Sequence, residues 1–428
     1  METTIQPGTT LPGTALTLIH TGEAPTRSAL TAKLGVTRAT TGAIAGELRD
    51  LQLIQVEAAA PADGHLGRPS HRLLPDPDGP VALAAEIHTD GFAVALIGLG
   101  AVTVARVSRD APVPADPEQA LAPVSAAAAD LLRASGRTCV GVAVAVSFAV
   151  TEPGGAAVGA LYFGWPDGVK VGDIFAAQLA RHGVTGPNDE PLACRAINDI
   201  NALALAEHRH GAGRDAAHLL VVAATRRGVG SALVLRGGLY TGSTGLAMEA
   251  GHVSIDPHGR PCPCGSRGCL NVETDAGRFL EEAGRAPASG PASPPINARA
   301  ASPEAATPVP DPNAASLDAA IALLAAGYPT DPAVRAAAST VIARLGLGLA
   351  GLVNVVNPDR VLLGGLHKHL LLAAPDELRD AVAARSPWDR GAAVPISPCA
   401  LDDAILIGAA ELAWQPVLDN PAILRSPA

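Results

Sequence analysis

The stretch that most limits what this chain can become is AMEAGHVSIDPHGRPCPCGSRGCLN, residues 247–271. It offers one imidazole and three thiols, His252, Cys262, Cys264 and Cys269, and three of the chain's six cysteines fall inside eight residues there. Gly251, Gly259, Gly265 and Gly268 permit the tight turns that bring such groups together. A ligand set this soft favours zinc over magnesium or calcium. Four protein ligands complete a tetrahedron and leave no position for a catalytic water. The segment therefore predicts a structural Zn²⁺ site that pins a loop; a loop of unpaired thiols is the alternative.

The rest of the chain, 428 residues in all, is long enough for two or three domains, and 48% apolar content supports substantial cores. Aromatic residues make up only 3%, so packing must rest on Ala, Val and Leu. A net charge of −10 argues against a chain that coats nucleic acid over its whole surface, while leaving room for one locally basic module. No apolar run is expected to reach transmembrane length, and METTIQPGTT lacks a basic region followed by an apolar core. A cytoplasmic location is the expectation. Cys139, Cys194 and Cys399, scattered in apolar surroundings, fit small core residues in a reducing compartment.

Residues 14–21, 28–34 and 37–48 read as three helices, with Gly35 breaking the last two and Thr37 placed to cap the third. Leu30, Leu34, Val36, Ile44 and Leu48 form the buried stripe. Helix, glycine turn, helix is the helix-turn-helix pattern, and the outward face of the third helix should carry Arg38, Thr40, Thr41 and Arg49 toward a major groove. Short strands at 53–56 and 71–74 around GHLGRPS add a wing, from which Arg68 is expected to enter a minor groove. Arg27, Lys33, Arg38 and Arg49 stand against Glu47 alone in residues 27–49, and the wing adds Arg68 and Arg72. A basic face on an acidic chain is the footprint of site-limited DNA binding. The predicted DNA contacts are Arg27, Thr37, Arg38, Thr40, Thr41 and Arg68; a three-helix module that binds a protein is the alternative. PDPDGP, residues 75–80, closes the module as a linker.

Beyond it, residues 81–107 hold three strand-like runs, a helix follows near 117–135, and CVGVAVAVSF reads as a further strand. Residues 218–240 repeat the opening pattern of strand, glycine turn, strand, which suggests an internal duplication. Further helices are expected at 172–182, 199–210, 271–283, 316–326, 332–356 and 402–413, and the alternation indicates an α/β fold. Residues 284–314, rich in Ala, Pro and Ser, read as a flexible insertion.

GLAMEAGH leading to CPCGSRGCL, AINDINALALAEHRHG, YFGWPDG and LGLGLAGLVNVVNPDRVLLGG together give the chain its likeness. It resembles the ROK family, named for its repressors, open reading frames and kinases, from the winged module to the C-terminal helix. The resemblance implies two actin-like, ribonuclease-H-like lobes around a sugar cleft, usually in a dimer or tetramer, with the zinc site as the family's structural one. The expected organisation is a winged helix-turn-helix at 1–76, a first lobe at 80–199 joined by the helix at 402–415, and a second lobe at 200–400. By the same resemblance the sugar is gripped by Asn198, Asp199, Glu249 and His252, and Asp199 matches the kinases' general base. His252 can serve metal and sugar with its two nitrogens. A fifth family contact, a Glu two residues after the last cysteine, is Asn271 here, which keeps an acceptor and loses the charge. For Asn198 and Asp199 a helix cap is the alternative role.

The family's kinases open their first lobe with an Asp-x-Gly-Gly-Thr turn around the phosphates of ATP. The corresponding residues are Glu86, Ile87, His88, Thr89 and Asp90, without either glycine, so bulky side chains stand where phosphate must approach backbone. In the second phosphate turn Arg226 and Arg227 replace a glycine and a hydroxyl residue, while Gly228 and Gly230 remain. The expectation is a sugar-responsive regulator, a repressor of carbohydrate genes without kinase activity. Its partners would be a double-stranded operator, a sugar or sugar-phosphate effector and further copies of itself, with no membrane. Two alternatives stay open: an ATP-dependent sugar kinase using Asp199, and a zinc-containing assembly protein that binds neither DNA nor sugar.

Overall fold

Thr10, Thr26 and Thr37 each precede a helix, and each lends its hydroxyl to the amide three residues on, at 3.1, 3.2 and 3.1 Å. These caps satisfy donors that a helix start leaves orphaned. They open α1 (Leu11–His20), α2 (Arg27–Leu34) and α3 (Arg38–Asp50) in a computed structural model that describes residues 9–58, 70–226, 228–285, 316–387 and 390–425. Gly35 ends α2 at φ 66°, a conformation that suits glycine, and so turns the chain into α3. An antiparallel pair, β1 (Ile54–Glu57) and β2 (Arg72–Pro75), forms the base of the wing. The wing tip with Arg68 lies outside the described residues.

Two sheets of five strands follow among the described residues. The first contains β3 (Val81–His88), β4 (Gly91–Gly98), β5 (Val102–Asp110), β6 (Cys139–Val146) and β9 (Cys194–Asn198), in the order β5-β4-β3-β6-β9. A small ribbon, β7 (Ala149–Val150) with β8 (Ala157–Val158), interrupts the sequence between them, as do α4 (Pro117–Ser135) and α5 (Val171–Arg181). After α6 (Asp199–His210) the second sheet uses β10 (His218–Thr225), β11 (Gly228–Leu235), β12 (Gly238–Leu239), β13 (Arg360–Gly364) and β14 (Ile396–Pro398), in the order β12-β11-β10-β13-β14. In each sheet the first three strands pair antiparallel and the last two join parallel. The repeated opening pattern is thus a repeated topology, and the fold is α/β with two actin-like lobes behind a winged helix-turn-helix.

Helices α7 (Leu270–Thr274), α8 (Ala276–Glu282), α9 (Ser316–Gly327), α10 (Pro332–Val356), α11 (Gly365–Ala373), α12 (Pro375–Ala383) and α13 (Arg390–Ala393) belong with the second sheet. The single helix expected over 271–283 is two, because Asp275 leaves the helical path and caps α8 by accepting from the Arg278 amide at 2.7 Å. All but the first two residues of the expected insertion at 284–314 lie outside the described residues. By length and composition α10, at 25 residues, is apolar enough to cross a membrane. Here it is a core helix, with Val341, Ile342, Leu345, Leu349 and Val353 all 0% exposed.

The last helix, α14 (Ala404–Asp419), ties the parts together. It lies on β3 and β6, and the Trp414 indole donates to the Ile97 carbonyl at 3.0 Å. Its far end meets α1: the Thr10 amide donates to the Asp419 carbonyl at 2.8 Å. Gly13 is obligatory at that contact, since a Cβ there would stand 2.2 Å from the same oxygen. Leu16, Leu18 and Ile19 of α1 share one continuous core with Trp414, Val417 and Leu418 and with the inner face of the first sheet. The winged module is therefore packed onto the body by apolar burial.

Candidate functional site

On the winged module, Arg38 and Thr37 are exposed and Thr40 half-buried at the start of α3. The Thr37 hydroxyl caps the helix and bonds the Thr40 hydroxyl at 2.9 Å. Arg27, at the head of α2, lays its guanidinium across α3, so close that a Cβ on Gly42 would meet Nη2 at 2.4 Å. Arg27 thus lies along α3, while Thr37, Arg38 and Thr40 stand together at the start of that helix. Thr41 is 1% exposed, donates to the Thr37 carbonyl at 3.2 Å and accepts from the Thr31 hydroxyl at 3.0 Å. The outward reading of Thr41 is corrected, because this position on α3 faces α2 and leaves no path to a base edge. Among the described residues, Arg425 from the C-terminal end pairs with Glu47 of α3 at 2.9 Å.

In the body, the residues expected to grip sugar gather around the first residues of β11. Asn198 closes β9 and caps α6: its Oδ1 accepts from the amides of Ile200 and Asn201 at 2.9 and 3.2 Å, and its Nδ2 donates to the Phe148 carbonyl at 3.2 Å. The capping role is thus realised in full. Asp199, 8% exposed, accepts from the Ile200 amide at 2.8 Å. Ile200 in turn packs on Gly230, where a Cβ would stand 2.6 Å from its Cγ1. On the other side of β11, the side-chain Oδ1 of Asn271 accepts from the Val229 amide at 2.7 Å, and a Cβ on Gly228 would sit 1.9 Å from that oxygen. Glu249 precedes the short 3₁₀ turn Ala250–His252 and His252 ends it, while Gly251 within it abuts the Val229 carbonyl. Burial pushes the Glu249 carboxyl above its ordinary range, with His252 acting against the shift. Asn271 is thus chiefly a strut between the metal loop and β11.

Glu86, at the edge of the same cleft, was not foreseen as more than a lost motif residue. Its carboxyl is pushed up to about 7, first by burial and then by Asp199 and Asp403, while Arg106 and Arg226 oppose the shift. Arg106 and Asp403 are themselves paired at 3.1 Å.

The two turns that correspond to the kinases' phosphate turns are crossed by side chains. His88 Nδ1 bonds Asp90 Oδ1 at 2.7 Å in the turn between β3 and β4. From the opposite lobe, Arg226 reaches the other oxygen of Asp90 at 2.9 Å and also holds Asp318 of α9 at 2.7 Å. Arg226 is therefore engaged with two carboxylates of its own chain. Its neighbour Arg227 lies outside the described residues. At 41% exposure the Arg226 side chain adds little stability, but it occupies the gap between the turns.

The metal loop has the geometry its sequence implies. Gly268, at φ 57°, lets two strands of the loop touch, since a Cβ there would meet the Asp256 carbonyl at 1.7 Å. Cys262 Sγ lies 3.7 Å from His252 Nδ1 and Cys264 Sγ 3.6 Å from Cys269 Sγ, and all four donor atoms fall within 4.8 Å of one another. Tetrahedral zinc with bonds of about 2.0–2.3 Å would separate its ligands by about 3.5–3.8 Å. The donor set fits. Burial and the neighbouring thiols push Cys262 and Cys269 above the ordinary thiol range, a cost that a divalent cation reverses by favouring thiolates. Arg260 joins the loop to Glu281 of α8 at 2.9 Å, and Arg344 of α10 bridges Glu273 and Glu282 at 3.4 and 3.0 Å. Of the other three cysteines, Cys139 and Cys399 are buried, which raises their thiols to about 11 and about 12, whereas Cys194 is half-buried at the start of β9 and not the core residue expected.

A family model described as the ROK family matches residues 86–415. Over 171 residues the chain is 34% identical to a glucokinase of Thermotoga maritima, covering 39% of this chain and 49% of that protein. Over 109 residues it is 33% identical to the DNA-binding transcriptional dual regulator NagC of Escherichia coli, covering 25% of this chain and 27% of that one. These matches thus span half or less of the curated relatives' length. Among solved structures, a ROK family transcriptional regulator described as a homologue of the E. coli MLC protein superposes with a TM-score of 0.68 at 20% identity, over 95% of this chain and 96% of that one.

Proposed function

Since the chain belongs to the ROK family, whose members include both repressors and kinases, we propose that it is a sugar-responsive DNA-binding transcriptional regulator, a repressor of carbohydrate genes that has lost phosphoryl transfer. One observation carries this reading: His88, Asp90, Arg226 and Asp318 form a charged bar across the two turns that would have to cradle phosphates. Phosphoryl transfer depends on backbone and metal reaching the phosphates closely, and Asp90 sets negative charge where they would lie. Joined to the same core is a module that carries Arg27, Thr37, Arg38 and Thr40. Arg68 of the wing completes the proposed DNA contacts. The effector contacts are Asn198 through its remaining amide hydrogen, Asp199, Glu249, His252 and Asn271.

His252, Cys262, Cys264 and Cys269 would hold one zinc ion, which supplies no chemistry beyond fixing the loop that presents Glu249 and His252 to the cleft. The protein would act as a homodimer or homotetramer, since paired half-sites call for two recognition helices related by symmetry. Given the relatives' names, glucose and N-acetylglucosamine are the first effectors to test. Purified protein should retard a duplex of its own upstream DNA, with glucose or N-acetylglucosamine changing that affinity. The Arg38→Ala variant should lose binding. Turnover of ATP with glucose, abolished by Asp199→Asn, would overturn the reading in favour of a kinase that uses Asp199 as general base. That second reading rests on Asp199 standing at the head of α6, next to Ile200, which packs on the remaining Gly230.

A further inference from the structure

Far from the cleft, three elements of different origin meet on one carboxylate. Glu411 of α14 is 0% exposed. Its Oε1 accepts from His20 Nε2 at 2.7 Å and from His210 Nε2 at 2.8 Å, and its Oε2 accepts from Arg209 at 2.6 Å. His20 is the last residue of α1 in the winged module; Arg209 and His210 are the last turn of α6. The two imidazoles meet edge to face at 4.8 Å. Arg209 also donates to Gln415 at 2.7 Å, and Arg214, just beyond α6, donates to the Thr21 carbonyl at 2.6 Å. Burial alone would raise the Glu411 carboxyl, but His20 and Arg209 outweigh it and hold the group well below its ordinary range. The trio of His20, His210 and Glu411 has the composition of a metal site, yet the Gly100 amide donates to His20 Nδ1 at 2.9 Å. An imidazole that accepts at Nδ1 carries its proton on Nε2, which therefore points a hydrogen, not a lone pair, at Glu411. The cluster is a hydrogen-bonded joint.

Its placement gives the joint a task. Helix α6 begins at the cleft, with Asn198 as cap and Asp199 as first residue, and runs 12 residues to the joint. At about 1.5 Å per residue this is a rod of roughly 18 Å. The rod packs chiefly on β10 and β11 of the second lobe, with lesser contacts to β6 and β9, whereas α14 packs chiefly on β3 and β6 of the first and lends Ala404 and Ile407 to the core of the second. The two helices cross in direct contact, because Gly408 lies against the Ala202 carbonyl so closely that a Cβ would stand 1.8 Å away. A change in the angle between the lobes loads this contact between α6 and α14, and the load reaches the point where Arg209 and His210 grip Glu411. The oxygen that holds His210 is the oxygen that holds His20.

Resting on the regulator reading above, we propose that Glu411 is the relay between effector cleft and DNA module: α6 carries the displacement of the cleft to Arg209 and His210, and the shared oxygen passes it to His20 and α1. Coupling of this kind is reciprocal, so a disturbance at the DNA-module end must appear at the cleft end. The test is amide hydrogen exchange on the full chain, read by mass spectrometry, for the wild type, His20→Phe and His20→Gln. His20→Phe, which fills the space and removes both hydrogen bonds, should speed exchange at residues 200–204 roughly tenfold while β10 and β13 keep their protection. His20→Gln, which retains a donor and an acceptor, should restore most of it. A change confined to α1 and residues 409–415 would overturn the relay and leave a merely structural contact. If His20→Phe does not fold, Arg209→Gln is read in the opposite direction: exchange across Leu11–His20 should rise, and unchanged exchange there overturns the relay. A separate arm adds a duplex of the chain's own upstream DNA to the wild type. Failure to bind it defeats the regulator reading, while the exchange result still decides the joint.

Discussion

Glu86 shows how one buried carboxyl at the end of β3 can act on the whole protein. Its carboxyl, pushed up to about 7 chiefly by burial, stays protonated in the folded chain at a pH where the unfolded chain ionises it. Folding stability tied to Glu86 is therefore complete below the unfolded value of 4.5 and is lost as pH rises through about 7. Glu86→Gln cannot ionise, so it should stabilise the protein at pH 8 by roughly 1–3 kcal/mol and change little at pH 4.5. Thermal melts across that range check this. On the winged module, neighbouring residues should behave oppositely. Arg38→Ala should weaken binding to all DNA sequences and flatten the salt dependence by about one unit of slope if Arg38 meets a phosphate. Thr41→Val should leave DNA affinity unchanged and cost about 1 kcal/mol of stability, through the lost bonds to Thr31 and Thr37. Fluorescence anisotropy over a salt series and denaturant melts separate the two.

At the scale of elements, the zinc loop and the recognition helix should be independently breakable. Removing metal with a chelator, or Cys264→Ser, should expose residues 252–269 to hydrogen exchange and abolish any sugar response while leaving exchange in α3 unchanged. Loss of protection in both would show that the loop supports more than the cleft wall. The same scale shows what the sequence could reveal. Helices α2 and α3 were legible because their signals are local, Thr37 capping and Gly35 turning. The cysteine loop was legible for the same reason. Helix α1, by contrast, starts at Leu11, three residues before the expected 14, because the cap at Thr10 was not read. Strands β9, β13 and β14 were missed because they are only five, five and three residues long and owe their form to parallel partners distant in the chain. Thr41 was misplaced because threonines occupy both faces of the first turn of α3, and outward and inward positions look alike until α2 is packed against it. Neither the bar at Arg226 nor the joint at Glu411 had any local signature. Asp90 and Asp318 lie 136 and 92 positions from Arg226, and His20 lies 391 from Glu411.

For the whole molecule, the governing feature is that the winged module, the ROK-family body and the cysteine loop are not beads on a string. Helix α14 joins α1 to the first sheet through apolar burial, α6 joins the second lobe to α14, and β11 joins α6 to the metal loop through Ile200, Gly230, Val229 and Asn271. Such continuity lets binding in the cleft alter the winged module, provided ligand affinity differs between the conformations. The measurement that tests this most directly is the affinity of the purified chain for a duplex of its own upstream DNA, titrated without additive, with glucose, with N-acetylglucosamine and with magnesium ATP. The account predicts site-limited binding that one of the sugars shifts at least severalfold and that magnesium ATP leaves untouched. Absence of DNA binding in every condition, or an affinity set by magnesium ATP while both sugars are silent, would contradict it.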